Sequence, residues 1–107
     1  MTYDVVITDL ASDDVIEIVG YIKELTGSDD IADEYVMGIL QTAKSLATMP
    51  FRFQISEELA MAGLDVRTAP FKDYLLAYGI DEKAVTVYVY RILYSKSDIK
   101  ERFFDKV

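Results

Sequence analysis

The apolar positions change period twice along this chain, and the changes mark its elements. Residues 3–8, Y-D-V-V-I-T, read as a short apolar strand, after which Asp9 or Ser12 is placed to cap a helix. From Ala11 to Leu25 the apolar positions Val15, Ile18, Val19, Ile22 and Leu25 recur at helical spacing. Thr26-Gly27-Ser28 closes that helix and opens another. Glycine tolerates the left-handed conformation after a helix end, and Ser28 can accept from the free N–H groups of the next helix. Asp29 and Asp30 then sit in a first turn, where the helix dipole favours negative charge. The second helix runs from about 29 to 47 and ends at Met49-Pro50, because Pro50 disfavours helical geometry at Met49. So short a connection predicts an antiparallel helical hairpin.

The second half turns to period two. Residues 51–63 predict a loop with one anchored end, in which S-E-E-L-A-M-A forms a helical turn or an irregular strand before Gly63. Leu64 to Ala69 alternates as a strand that Pro70 interrupts, and Asp73 to Ile80 makes another. Asp81-Glu82-Lys83 turns the chain into its longest strand-like run, Val85 to Asp98, where Val85, Val87 and Val89 alternate with Thr86, Tyr88 and Tyr90. A bulge near Arg91 would reverse that alternation, so spacing alone leaves open whether Arg91 faces the helices. Residues 99–107 predict a mixed tail or a short helix with Phe103 and Phe104 as anchors. The fold class is α+β: an N-terminal strand, a two-helix hairpin, then a three-stranded antiparallel meander, in one domain spanning 1–107. The hairpin covers one face of a small antiparallel sheet, and the other face is open or covered by a partner.

Composition narrows the chemistry. A chain of 107 residues, 51% of them hydrophobic, holds one core and is not disordered. It has no cysteine and no histidine, which removes thiolate metal sites, disulfides, the usual general base and the usual zinc ligand. Adjacent acids such as Asp13-Asp14, Asp29-Asp30 and Glu57-Glu58 lack metal-site spacing, and the scattered glycines form no phosphate loop. No metal and no cofactor is expected. No apolar run reaches membrane-spanning length and no basic secretory leader opens the chain, so the cytoplasm is the expected location. The net charge of −8 belongs to residues 1–50, where Lys23 and Lys44 stand against ten acids, while 51–107 balance to zero. That charge opposes non-specific nucleic-acid binding, although a basic patch within the second half remains compatible with it.

The chemistry-bearing side chains left are tyrosines and bases of the late strands: Arg67, Lys72, Tyr74, Tyr78, Tyr88, Tyr90, Arg91, Tyr94 and Lys96. Aromatic rings beside cations suit stacking on bases and pairing with phosphates. They suit a protein partner equally, tyrosine and arginine being enriched at interface hot spots. Lys72, Tyr78, Tyr90 and Arg91 are the expected RNA- or partner-binding residues, and for Tyr74, Tyr78 and Tyr88 a place in the core is as good a reading.

The order and spacing of several segments resemble the RelE/ParE toxins of bacterial toxin–antitoxin pairs, the plasmid-stabilisation type among them. The likeness covers nearly the whole chain. It is carried by Thr8-Asp9-Leu10-Ala11, Tyr21-Ile22, Leu46-Ala47-Thr48-Met49-Pro50, Val66-Arg67, Tyr74-Leu75-Leu76-Ala77-Tyr78 and the run from Tyr90 to Asp98. The resemblance implies a helical hairpin on an antiparallel sheet and a cognate antitoxin that wraps and neutralises the toxin, with a heterotetramer as one assembly. It implies one of two activities: RelE-like members cut messenger RNA in the ribosomal A site as metal-independent endoribonucleases, and ParE-like members poison DNA gyrase without being nucleases. On the nuclease reading, which leads here, Arg67 matches the family's phosphate-holding arginine. Tyr94 stands where many relatives carry histidine and would orient or transfer a proton. Lys96 falls at a basic position and would stabilise charge. Ordinary Tyr and Lys pKa values near 10 make poor bases at neutral pH unless the site shifts them. Ser97 replaces a second basic residue of the family, and Phe103-Phe104 stands where some active nucleases carry tyrosine. These departures and the charge of −8 add weight to the gyrase reading or to a weakened nuclease. A non-enzymatic binding module or an inactive toxin homologue is the further alternative.

Overall fold

The computed structural model describes residues 1–106. Strand β1, Asp4–Ile7, leads directly into helix α1, Asp9–Thr26. Thr8 makes that junction: its hydroxyl accepts from the Ala11 N–H and donates to the Tyr90 carbonyl, so Thr8 is the cap in place of Asp9 or Ser12. Gly27, at φ 67°, ends α1 with its N–H on the Lys23 carbonyl. Helix α2, Asp29–Ser45, starts on the expected cap, Ser28. A 3-10 turn occupies Pro50–Arg52, and of the two forms left open for S-E-E-L-A-M-A the structure has the helical one, a short helix α3, Glu57–Met61. Ser56 caps α3 through the Leu59 N–H.

Three strands follow as the meander: β2, Arg67–Phe71; β3, Tyr74–Asp81; and β4, Thr86–Tyr94. Helix α4, Ile99–Phe104, closes the chain on an Asp98 cap. β1 lies beside β4 and parallel to it, with Asp4 opposite Thr86 and Ile7 opposite Val89. The sheet order is therefore β1-β4-β3-β2, and the sheet is mixed where a fully antiparallel one was expected. Pro70 sits inside β2 instead of interrupting a strand. β2 is an edge strand, where a residue with no N–H can be accommodated. Val85 lies outside β4, in the preceding turn, at φ 50°, so the alternation of valines starts at Val87.

Helices α1 and α2 cover one face of the sheet. Ile18, Ile22, Ile39 and Leu46 pack there against Leu76, Tyr78, Val87, Val89 and Ile92. Gly38 lets the edge strand approach: a Cβ there would stand 2.0 Å from the Phe71 ring, so only glycine admits that ring against α2. The other face is not left to a partner. α3 and α4 bring Leu59 and Ile99 onto Val66, Ala77 and Leu93, with Leu64, Leu75, Tyr90 and Phe103 around them. Phe103 anchors α4 as expected, whereas Phe104 is exposed.

One irregularity decides which side chains face which layer. The β3–β4 register pairs Ala77 with Arg91 and Tyr78 with Val89, leaving Tyr90 as an extra residue on β4. The bulge shifts the alternation by one. Val87, Val89 and Ile92 consequently share the helix-facing core, while Tyr90 and Leu93 join the opposite one.

Candidate functional site

Arg67 stands at the start of β2, opposite Tyr78. Its guanidinium donates to the carbonyls of Phe51 and Phe53, at 3.2 and 2.6 Å, and lies 5.1 Å from the Phe51 ring centre. Its function in this position is to hold the irregular 51–53 segment against the sheet. Tyr94 ends β4 opposite Tyr74, which in turn faces Phe71 at the far end of β2. By strand geometry Arg67 and Tyr94 are roughly 13 Å apart along the strands and roughly 10 Å across them. Lys96 follows Tyr94 in an exposed turn. The structure thus keeps Tyr94 and Lys96 near one another and sets Arg67 at the opposite end of the meander.

The other expected binding residues separate as well. Lys72 occupies the β2–β3 turn at φ 50°, with its ammonium 4.6 Å from the Tyr35 ring centre. Tyr78 is fully buried, and its hydroxyl donates to the Pro50 carbonyl at 2.5 Å. Burial raises its pKa above the ordinary tyrosine value, with Arg67, Arg52 and the Phe53 backbone acting against the shift. Tyr78→Phe keeps the ring and orphans the Pro50 carbonyl, so it is expected to cost about 1–3 kcal/mol, read as a lower urea midpoint. Tyr90 is half-buried, stacked on Tyr88 at 6.4 Å and set edge-on to Phe103. Its pKa is raised by burial, with Tyr88 and Asp81 adding to the effect.

Arg91 is 4% exposed. Its Nε and Nη2 donate to the two carboxylate oxygens of Asp14, at 2.8 and 2.9 Å. Its Nη1 donates to the carbonyls of Arg102, Phe103 and Asp105. Asp14 in turn accepts from the Ile92 N–H. Hydrogen bonding to Asp14 holds the Arg91 guanidinium above its ordinary pKa, against the effect of burial. With each of its three guanidinium nitrogens hydrogen-bonded inside the chain, Arg91 is a clasp between α1, β4 and the end of α4. Asp14 escaped the sequence reading because an acid in a helix reads as solvated. The signal present was its step of four to Ile18, on the helix face that carries Val15, Ile18 and Ile22.

Where α1 passes the ends of β3 and β4 there is a cleft of about 380 Å³. Tyr21, Tyr74 and Tyr94 stand around it with Arg102, above a floor that includes Ile18 and Ile92. Tyr74 is joined edge-to-face with both Tyr35 and Tyr94, at 6.2 and 5.9 Å. Burial raises the Tyr74 pKa, and neighbouring Tyr21, Tyr35, Asp73 and Tyr94 push it the same way. The shifted tyrosines are thus better hydrogen-bond donors than bases at neutral pH. Among the described residues no three His, Cys, Asp or Glu converge to hold a metal ion, and no helix is long and apolar enough to cross a membrane.

The fold has solved counterparts. The chain is similar to a structure from the chromosomal ParDE toxin–antitoxin system of P. aeruginosa, at 18% identity and a TM-score of 0.72, over 89% of this chain and 98% of that one. It is also similar to a chain of the toxin–antitoxin complex RelBE2 from Mycobacterium tuberculosis, at 22% identity and a TM-score of 0.61, over 88% of this chain and 92% of that one. No curated protein sequence matches it. The family model for the ParE toxin of the type II toxin–antitoxin system parDE matches residues 5–99, from β1 to the first residue of α4, and the chain belongs to that family.

Proposed function

We propose that this toxin arrests growth by binding a protein, on the pattern of the gyrase-poisoning members of its superfamily, and that it does not cut RNA. One observation carries the reading. Arg67, which a nuclease would need at the scissile phosphate, is engaged with the Phe51 and Phe53 carbonyls, at the end of the meander away from Tyr94 and Lys96. In-line cleavage by a ribose hydroxyl needs a base, an acid and a cation within hydrogen-bond reach of one phosphate. Separation by two strands and several residues offers no such point. Gyrase is the expected target, and a cognate antitoxin the expected neutralising partner, in a cytoplasmic heterotetramer or smaller assembly. Support for the antitoxin comes from the toxin–antitoxin origin of both similar structures.

The test is inducible expression without a partner, with supercoiling and messenger integrity followed separately. Blocked supercoiling with intact messages is the expected result. The double variant Arg67→Ala/Lys96→Ala is expected to keep growth arrest within about twofold of the parent wherever it remains folded; loss of the exposed Lys96 should move stability by only ~0.5 kcal/mol, whereas Arg67→Ala also removes the hydrogen bonds to the Phe51 and Phe53 carbonyls. Early A-site cuts in messages, abolished by that double variant, would return the protein to the nuclease reading.

A further inference from the structure

The tyrosine cleft has an unused binding capacity, which emerges once its charges are paired off. Asp14 is held by Nε and Nη2 of the buried Arg91 and by the Ile92 N–H. Glu17, also on the wall, is taken by Lys106. What remains is a set of donors. Among the described residues, Tyr78 is the only tyrosine whose hydroxyl has a hydrogen-bond partner in the chain, so the hydroxyls of Tyr21, Tyr74 and Tyr94 are all unengaged. Tyr74 is the telling one. It is 8% exposed, yet no buried side-chain polar atom lacks a partner, so its hydroxyl opens on the cleft it lines. Arg102 completes the set: its side chain is 55% exposed and its guanidinium only loosely paired, at 3.8 Å from Asp105.

We infer that this cleft receives the carboxylate of an acidic side chain carried by the protein that the toxin targets. Two or three phenol O–H donors and a guanidinium match the acceptor-only chemistry of a carboxylate. The raised pKa of Tyr74 keeps its proton available for donation. The side chains of Ile18 and Ile92 also line the cleft, which suits the methylene stem of a glutamate or its apolar neighbours better than a bare ion. A nucleic-acid strand offers oxyanions too, but it brings one with every nucleotide, and the −8 charge of the chain opposes a polyanion far more than a single carboxylate. The inference rests on the protein-binding reading above for the identity of the occupant, while the chemistry of the cleft is measurable without it.

The experiment is a titration of the purified toxin, followed by the ring resonances of its tyrosines. The probes are N-acetyl-glutamic acid N′-methylamide, its neutral glutamine counterpart, and hexauridylate. Saturable shifts of Tyr21, Tyr74 and Tyr94 with the glutamate probe, and none with the glutamine probe, are expected. Tyr74→Phe and Arg102→Gln should each weaken glutamate binding about tenfold, the loss for one hydrogen bond to a charged group. Both variants should unfold at the parent temperature and show reduced growth arrest. No saturable shift, an equal response to glutamine, or tighter binding of hexauridylate would overturn the inference. So would full growth arrest by variants that have lost carboxylate binding, since the cleft would then not meet the target. If growth arrest traces to cut messages while the glutamate probe still binds, the protein-binding reading fails and takes the assigned occupant with it, leaving the carboxylate chemistry measured.

Discussion

Asp14→Ala is expected to destabilise the protein by about 3–5 kcal/mol, the usual loss when one partner of a buried ion pair is removed. The two side chains are 5% and 4% exposed, so water cannot replace the missing carboxylate. The substitution leaves the Arg91 guanidinium with two donors unpaired and the Ile92 N–H without its acceptor. A buried pair can often be exchanged for apolar residues at little cost, but this one resists the exchange. Arg91 also satisfies three carbonyls at the end of α4, where a cation is favoured by the helix dipole as well. Replacing both partners would orphan the Ile92 N–H and those carbonyls together. Urea unfolding measures the loss, and amide exchange locates it. Protection in α4 should fall before protection in β3, because Arg91 is the buried tie between the C-terminal segment and α1, the other link, Lys106 to Glu17, being exposed. Retention of parental stability by Asp14→Ala would mean that the clasp is not closed in solution.

The clasp also shows where sequence reasoning stops. Helical spacing marked α1 and α2 and their caps, because Ser28, Gly27 and the apolar steps are local signals. Alternation marked the meander for the same reason. The position of β1 was not legible, since parallel pairing to β4 joins residues far apart in sequence, with no turn between them to reveal it. Arg91 was open for a physical cause that could be named in advance, a bulge, and the bulge falls at Tyr90, next to it. The site fared less evenly. Tyr94 lines the cleft, while Arg67 and Arg91 donate to backbone carbonyls. An arginine in a strand carries no mark in the sequence of whether its donors will be spent inside the chain. Tyr21 was marked only as part of the family resemblance and Arg102 not at all, because each comes from an element whose packing against the strand end is a tertiary matter.

The second sheet face gives the other large expectation. Leu59→Ala is expected to cost about 2–5 kcal/mol, the range for removing a buried leucine side chain. α3 is only five residues long, too short to persist without tertiary contacts, and Leu59 is its one buried residue. Its side chain is fully enclosed among Val66, Ala77, Leu93 and Ile99, so it joins α3 to the sheet and to α4 at once. Loss of that anchor should loosen α3 and uncover the sheet beneath, which adds exposed apolar area to the cavity term. Met61, at the end of the same helix, is 89% exposed, and Met61→Ala should change stability by no more than about 0.5 kcal/mol. The pair of variants separates two pictures of this face in one urea experiment. A surface kept for an external partner would make both substitutions nearly silent in the isolated protein. A face closed by the chain's own α3 and α4 makes Leu59 costly and Met61 silent, and it directs partners to the edge strand, the helical hairpin or the tyrosine cleft instead.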